Sequence, residues 1–327
     1  MAILGELRAT FRTSVAFRKS LMWVLGVTAL LPLPMFAAKK PVSTTKAGTT
    51  GFNGNLAYGY ADKFVACGPR WISSPGHICA ENYIKQHFAK DNLEDDAFTA
   101  STPIGPLTMH NFIVRFPGKK DGVILVGSHY ETNYWLRNTS FVGANDGGAT
   151  VGLLVELANT LRGRTLDGYS VWLVFFDGEE SIESEWKTSD ALYGSRHLAA
   201  RWDRDGTLKK IRGYLLTDMI GDKQLDILRE LNSTPWLEDL VYQAAKQNGD
   251  ASYFFADQNQ IEDDQLPFVQ RGVPTADIID MDYGPHDTTH PEGYHHTPED
   301  TMDKISARSL SISGRTVVTT IQLLNQR

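Results

Sequence analysis

The chain has 327 residues and a formal net charge of −7, and it contains no long basic run, so the electrostatic footprint of a nucleic-acid binder is absent. A hydrophobic fraction of 42% is ample for one large α/β core, which argues against disorder. Cys67 and Cys79 are the only cysteines and lack metal-type spacing, so any metal has to be held by histidine and carboxylate.

The first elements belong to targeting rather than to the fold. Arg8, Arg12, Arg18 and Lys19 precede an apolar stretch from Leu21 to Leu31, followed by Pro32, Pro34 and the small pair Ala37-Ala38. That order predicts a signal peptide over residues 1–38 and hence a secreted or periplasmic protein. The alternative is a retained anchor, the only route by which the chain would meet a membrane. The apolar run is, however, shorter than the ~20 residues a spanning helix needs. Residues 39–55 are rich in Lys, Thr, Ser, Gly and Pro and read as a linker, and the catalytic-size domain is expected over 56–327. Export with an even cysteine count invites a Cys67–Cys79 disulfide, the other reading being two small core residues.

Helical spacing of apolar residues predicts helices over Ala57 to Ala66 and, after Ser74-Pro75-Gly76, over His77 to Lys90. Asn111 to Phe116, Val123 to Gly127 and Ser170 to Phe176 are apolar and β-branched and read as strands. A helix over Val151 to Leu161 lies between the last two. The alternation continues with a helix at Ala191 to Arg201, a strand at Tyr214 to Leu216, a helix at Leu237 to Gln247, a strand at Thr275 to Ile279 and a closing helix from Ile305 to Leu324. Such a pattern predicts an α/β fold of three layers, a mostly parallel central sheet with helices on both faces.

In sheets of this kind ligands gather at the carboxyl ends of the strands. His129 follows one predicted strand, Glu179 and Glu180 the next, and Asp218 a third. Asp146 lies in Gly143-Ala144-Asn145-Asp146-Gly147-Gly148 at a helix start, and His296 follows the strand ending at Ile279. Each alone has a plainer reading: His129 a hydrogen-bonded loop residue, Asp146 a helix N-cap, Glu179-Glu180 a solvated loop. Together they form two histidines and several acids at one edge, and acids so gathered would repel without a cation. Zinc, with one coordination position left for water or substrate, is the usual ion for such a set.

Five segments resemble, in order, the metal-site motifs of the zinc aminopeptidase clan: Gly127-Ser128-His129-Tyr130-Glu131, Gly143-Ala144-Asn145-Asp146-Gly147, Phe176-Asp177-Gly178-Glu179-Glu180, Thr217-Asp218-Met219, and Tyr294-His295-His296-Thr297-Pro298-Glu299-Asp300-Thr301. A narrower resemblance, to the glutaminyl cyclases, is carried by Gly68-Pro69-Arg70 with Ser74-Pro75-Gly76-His77. Trp186 with Asp190-Ala191-Leu192-Tyr193-Gly194-Ser195-Arg196-His197-Leu198-Ala199 adds to it, as does Ile261-Glu262-Asp263-Asp264-Gln265-Leu266-Pro267-Phe268 with Arg271-Gly272-Val273-Pro274.

The resemblance implies that Asp146, Glu180 and His296 hold one zinc ion and that Glu179 is the general acid-base. Asp218 and Asp263 would form a carboxylate hydrogen-bond network beside it. Trp186, with a core aromatic as its bland alternative, would line the substrate pocket together with His295 and Tyr294. The implied activity is cyclisation of an N-terminal glutamine on peptide or protein substrates to pyroglutamate, with release of ammonia.

Three features depart from the cyclase pattern. His295 stands where a pocket tryptophan is usual, and Asn145 is more typical of the peptidases. His129 with Asp218 leaves every ligand for a second zinc in place. A secreted two-zinc aminopeptidase is therefore the alternative activity. A noncatalytic binding domain of the same fold would have broken ligands, and these are intact.

Overall fold

The computed structural model describes residues 51–164, 166–291 and 293–327. The expected signal peptide or anchor lies outside them, as does most of the expected linker. No helix among the described residues is long and apolar enough to cross a membrane.

Within the described residues, regular structure starts inside the stretch read as linker. Helix α1 spans Gly54–Val65, capped by the Asn53 side chain, which accepts from the backbone N–H groups of Asn55 and Leu56. Phe52 packs against the core just before it. Helix α2, Pro75–His87, starts from the Ser74 cap with proline in its first turn, where a missing N–H costs nothing.

Cys67 and Cys79 are disulfide-bonded, with 12 residues of separation, and close the loop between these helices. A loop of this size constrains the unfolded chain by about 3 kcal/mol. Replacing both cysteines with serine is therefore expected to lower the denaturant midpoint by that equivalent, measured against the oxidised wild type. An unchanged midpoint would show that the bond does not stabilise the fold.

The main sheet runs β1 (Asn92–Thr102), β2 (Gly105–Phe116), β4 (Leu166–Phe176), β3 (Gly118–His129), β5 (Ile211–Asp218), β8 (Thr275–Ile279). Strands β4, β3, β5 and β8 are mutually parallel, whereas β1 and β2 form an antiparallel hairpin added at one edge. The expectation of a mostly parallel sheet holds for the centre, and the hairpin is the departure from it. Strand β1 escaped the sequence reading because it is polar: of its eleven residues only Asp96 and Ala100 are buried, as suits an edge strand. A separate parallel pair, β6 (Ile227–Glu230) with β7 (Phe254–Asn259), was also unread.

Two-residue periodicity builds the three layers. Phe112, Val114, Ile124, Val126, Leu173, Phe175 and Leu215 enter one core, under α1, α2, α3 (Thr150–Leu161), α5 (Pro235–Asn248) and α7 (Ala307–Leu324). Their chain neighbours Ile113, Leu125, Val174, Phe176, Tyr214 and Leu216 enter the opposite core, under α4 (Tyr193–Arg204) and the short α6 (Leu266–Val269). Helix α3 lies so close to α1 that a Cβ on Gly152 would stand 2.4 Å from the Ala57 carbonyl oxygen.

Two helices start two residues later than expected. Leu192 adopts φ 55°, outside the helical region, so α4 begins at Tyr193, and the Ser306 side chain caps α7 at Ala307.

Candidate active site

The carboxyl ends of the parallel strands converge as expected. His129 is the last residue of β3 and Asp218 the last of β5, while Glu179 and Glu180 follow β4 by three and four residues. Asp146 is not a helix cap: it sits in an irregular turn at φ −78°, ψ 97°, ahead of α3, and Gly147 beside it has φ 78°. Any Cβ on Gly147 would come within 3.1 Å of the His129 ring, so glycine serves here for both conformation and clearance.

The Asp146 turn is held from three sides. The buried Arg70 guanidinium donates to the carbonyls of Tyr130 at 2.9 Å and Gly143 at 3.0 Å, and also to Val142, tying the turn to the end of β3. The Asp300 carboxylate accepts from the backbone N–H groups of Asn145 at 2.8 Å and Asp146 at 3.1 Å and from the Tyr283 hydroxyl at 2.6 Å. Asn145 donates to the Met219 carbonyl and accepts from Gly221 N–H, joining the turn to the residues after β5. Asn145 thus acts here as a structural bridge. The Glu179-Glu180 loop is fixed by Leu192 N–H on the Glu179 carbonyl at 2.8 Å and by the Glu131 carboxylate on Glu180 N–H at 3.0 Å.

These supports bring the side chains together. His296 Nε2 lies 3.1 Å from Glu180 Oε1 and 3.5 Å from Asp146 Oδ2. The His296 backbone is in the left-handed region at φ 54°, a strain of the kind stored at functional sites. The Asn133 amide donates to the other Glu180 oxygen. On the far side, His129 Nε2 is 3.1 Å from Asp146 Oδ1 and 3.3 Å from Asp218 Oδ1, so Asp146 stands between the two histidines.

Electrostatics pulls the acids apart. Burial and then the neighbouring Glu180 and Asp263 charges hold the Glu179 carboxyl well above the usual carboxylate range. Glu180 is pushed up by burial and by Asp146, and Asp263 by burial followed by Asp218 and Asp264. Burial would raise Asp146 too, but the His129 hydrogen bond and the His129 and His296 charges outweigh it, and its carboxyl sits well below the usual range. Asp263 thus lies near both Glu179 and Asp218, and all three line one cavity.

A divalent ion fits the chemistry of this donor set. Asp146 Oδ2 is buried and has no hydrogen-bond partner, although it faces a histidine nitrogen at 3.5 Å. Ligand atoms of Asp146, His295 and His296 lie within 4.8 Å of one another, and so do those of His129, Asp146 and Asp218. Carboxylate oxygens with imidazole nitrogens suit zinc and similar borderline ions.

A cavity of about 440 Å³ opens onto the cluster, lined by Asp146, Glu179, Glu180, Asp218, Asp263, Trp186, His295 and His296, with Ile261, Ile279, Met219 and Met281 among its apolar walls. Trp186 is 37% exposed and stands at the rim, which removes the core-aromatic reading. Tyr294, expected beside substrate, is not in this lining. It packs edge-on against Tyr283 at 5.5 Å and beneath Gly284, so its place is structural.

Fold and site define an enzyme of the zinc aminopeptidase-like α/β class. The model of peptidase family M28 matches residues 111–321. The glutaminyl-peptide cyclotransferase of Drosophila melanogaster is 29% identical over 266 residues, 72% of each chain. The glutaminyl-peptide cyclotransferase-like protein of Bos taurus is 28% identical over 64% of this chain and 62% of its own length. Among solved structures, an Acidobacteriales bacterium glutaminyl cyclase is 55% identical, superposes with a TM-score of 0.83, and covers 89% of this chain and 100% of that one. A Porphyromonas gingivalis glutaminyl cyclase, 27% identical, gives 0.73 over 83% of this chain and 98% of its own. The chain belongs to peptidase family M28 and, within it, to the glutaminyl cyclases.

Proposed function

We propose that this glutaminyl-peptide cyclotransferase works with one zinc ion held by Asp146, Glu180 and His296, and that Glu179 is its proton carrier. Zinc bound there supplies Lewis acidity toward a carbonyl oxygen. Glu179 takes a proton from the α-amine of an N-terminal glutamine as the amine nitrogen attacks the γ-carboxamide carbon. It then delivers that proton to the departing nitrogen, so one C–N bond forms, one breaks, and ammonia leaves. The Asp263 charge favours a protonated Glu179 between the two transfers, and Asp218 acts in turn on Asp263. Trp186 and His295 flank the substrate in the cavity.

One observation carries this reading: a carboxyl held well above its usual range, first by burial and then by the Glu180 and Asp263 charges, stands in the same cavity as the candidate metal ligands. Since the attacking amine must be neutral and its ordinary pKa is about 7.7–8, turnover is expected to rise through that pH range.

Two-zinc peptide hydrolysis has one observation in its favour, the second complete donor set of His129, Asp146 and Asp218. The deciding experiment assays one purified sample on glutaminyl and leucyl amides and measures its zinc. We expect ammonia release from the glutaminyl amide, no cleavage of the leucyl amide, about one zinc per chain, and loss of turnover on chelation, restored by zinc. Cleavage of the leucyl amide with two zinc ions per chain would replace this reading with the peptidase.

A further inference from the structure

We propose that Glu262 is a positioning residue that closes the substrate cavity by holding Trp186 across its mouth. This inference rests on the proposed function for its kinetic arm alone. Residues 183–187 form a run of five exposed residues with no regular structure, and Trp186 lies within it. Such an arm has little packing to fix it, and an indole left to itself samples several rotamers.

Its internal bonds do not reach across the cavity. Lys187 pairs with Glu185 at 2.9 Å and Glu183 at 3.6 Å, both within the arm, and Glu183 N–H donates to Asp190 at 2.9 Å. Two bonds do reach across, and both end on one atom: Trp186 Nε1–H donates to Glu262 Oε2 at 3.2 Å, and the Thr188 hydroxyl donates to the same oxygen.

The far bank is firm. Ile261 N–H donates to Glu230 at 3.0 Å, the Ile261 carbonyl accepts from Asn232 at 2.7 Å, and Asp264 N–H donates to Asp263. Glu262 therefore projects from an anchored segment to meet a weakly anchored one, and it lines the same cavity as Glu179 and the candidate zinc ligands. The carboxylate accepts both bonds as a charged group, which makes them stronger than neutral ones.

The test uses the whole chain and the variants Glu262→Ala, Glu262→Gln, Trp186→Ala and the Glu262→Ala/Trp186→Ala double. In Glu262→Ala we expect KM for a glutaminyl amide to rise on the order of 10-fold while kcat stays within about 2-fold, the mark of lost binding rather than lost chemistry. Glu262→Gln keeps an oxygen acceptor and should restore most of the loss, and the double variant should be no worse than Trp186→Ala, because the two residues act as one unit. Trypsin should cut after Lys187 several-fold faster in Glu262→Ala than in wild type, a readout independent of turnover.

An unchanged KM, a fall in kcat alone, or additive effects in the double variant would overturn the proposal. So would unchanged cleavage at Lys187. If the wild type does not cyclise glutaminyl substrates, the functional reading fails, and the cleavage rates by themselves decide the clamp.

Discussion

Glu179→Gln is expected to lower glutaminyl cyclisation about 10²- to 10⁴-fold, the span of general acid-base catalysis, without loss of zinc. Glutamine fills the same volume, and the backbone at this position is fixed by the 2.8 Å bond from Leu192 N–H to the Glu179 carbonyl, so the loop should keep its course. What disappears is the group that accepts and returns the proton. The measurement pairs single-turnover ammonia release with zinc content. Near-wild-type cyclisation would end the proton-carrier assignment, and loss of zinc would exchange the roles of Glu179 and Glu180.

The sequence made the sheet centre and its ligand edge legible because both follow simple periodicities. Val123 to Gly127 and Leu173 to Phe176 are buried on both faces and read as apolar runs, and His129 and Glu179-Glu180 follow them within two to four residues. The polar edge strand Asn92–Thr102 was invisible for the same reason, since alternation there buries only Asp96 and Ala100. The supports of the site were harder still. Arg70 acts through backbone carbonyls that no pattern announces, and Asn133 reaches Glu180 from 47 residues away in sequence. Asp300 lies within the segment Tyr294 to Thr301, yet its grip on the Asp146 turn depends on a fold that joins positions 154 residues apart. Tyr294 is absent from the cavity lining because adjacency to His295 and His296 says nothing of direction: the chain turns at Gly293, and the ring lies against Gly284.

The second large effect concerns the residue beside the proton carrier. Glu180→Gln is expected to strip zinc and with it nearly all activity, by a route that Glu179→Gln does not share. Glu180 faces His296 with Oε1 at 3.1 Å and accepts from the Asn133 amide with Oε2, so both oxygens are committed. An amide in its place removes a negative charge from the donor set. It also sets an NH₂ group against either the Asn133 NH₂ or the position of the ion. The first needs the Asn133 amide to turn over, and a neutral donor binds a divalent cation more weakly than a carboxylate. Zinc content measured after gel filtration should therefore fall well below that of wild type, and excess zinc should restore part of the turnover in Glu180→Gln but none in Glu179→Gln. That contrast separates metal loss from proton-transfer loss, and full zinc occupancy in Glu180→Gln would remove this residue from the ligand set.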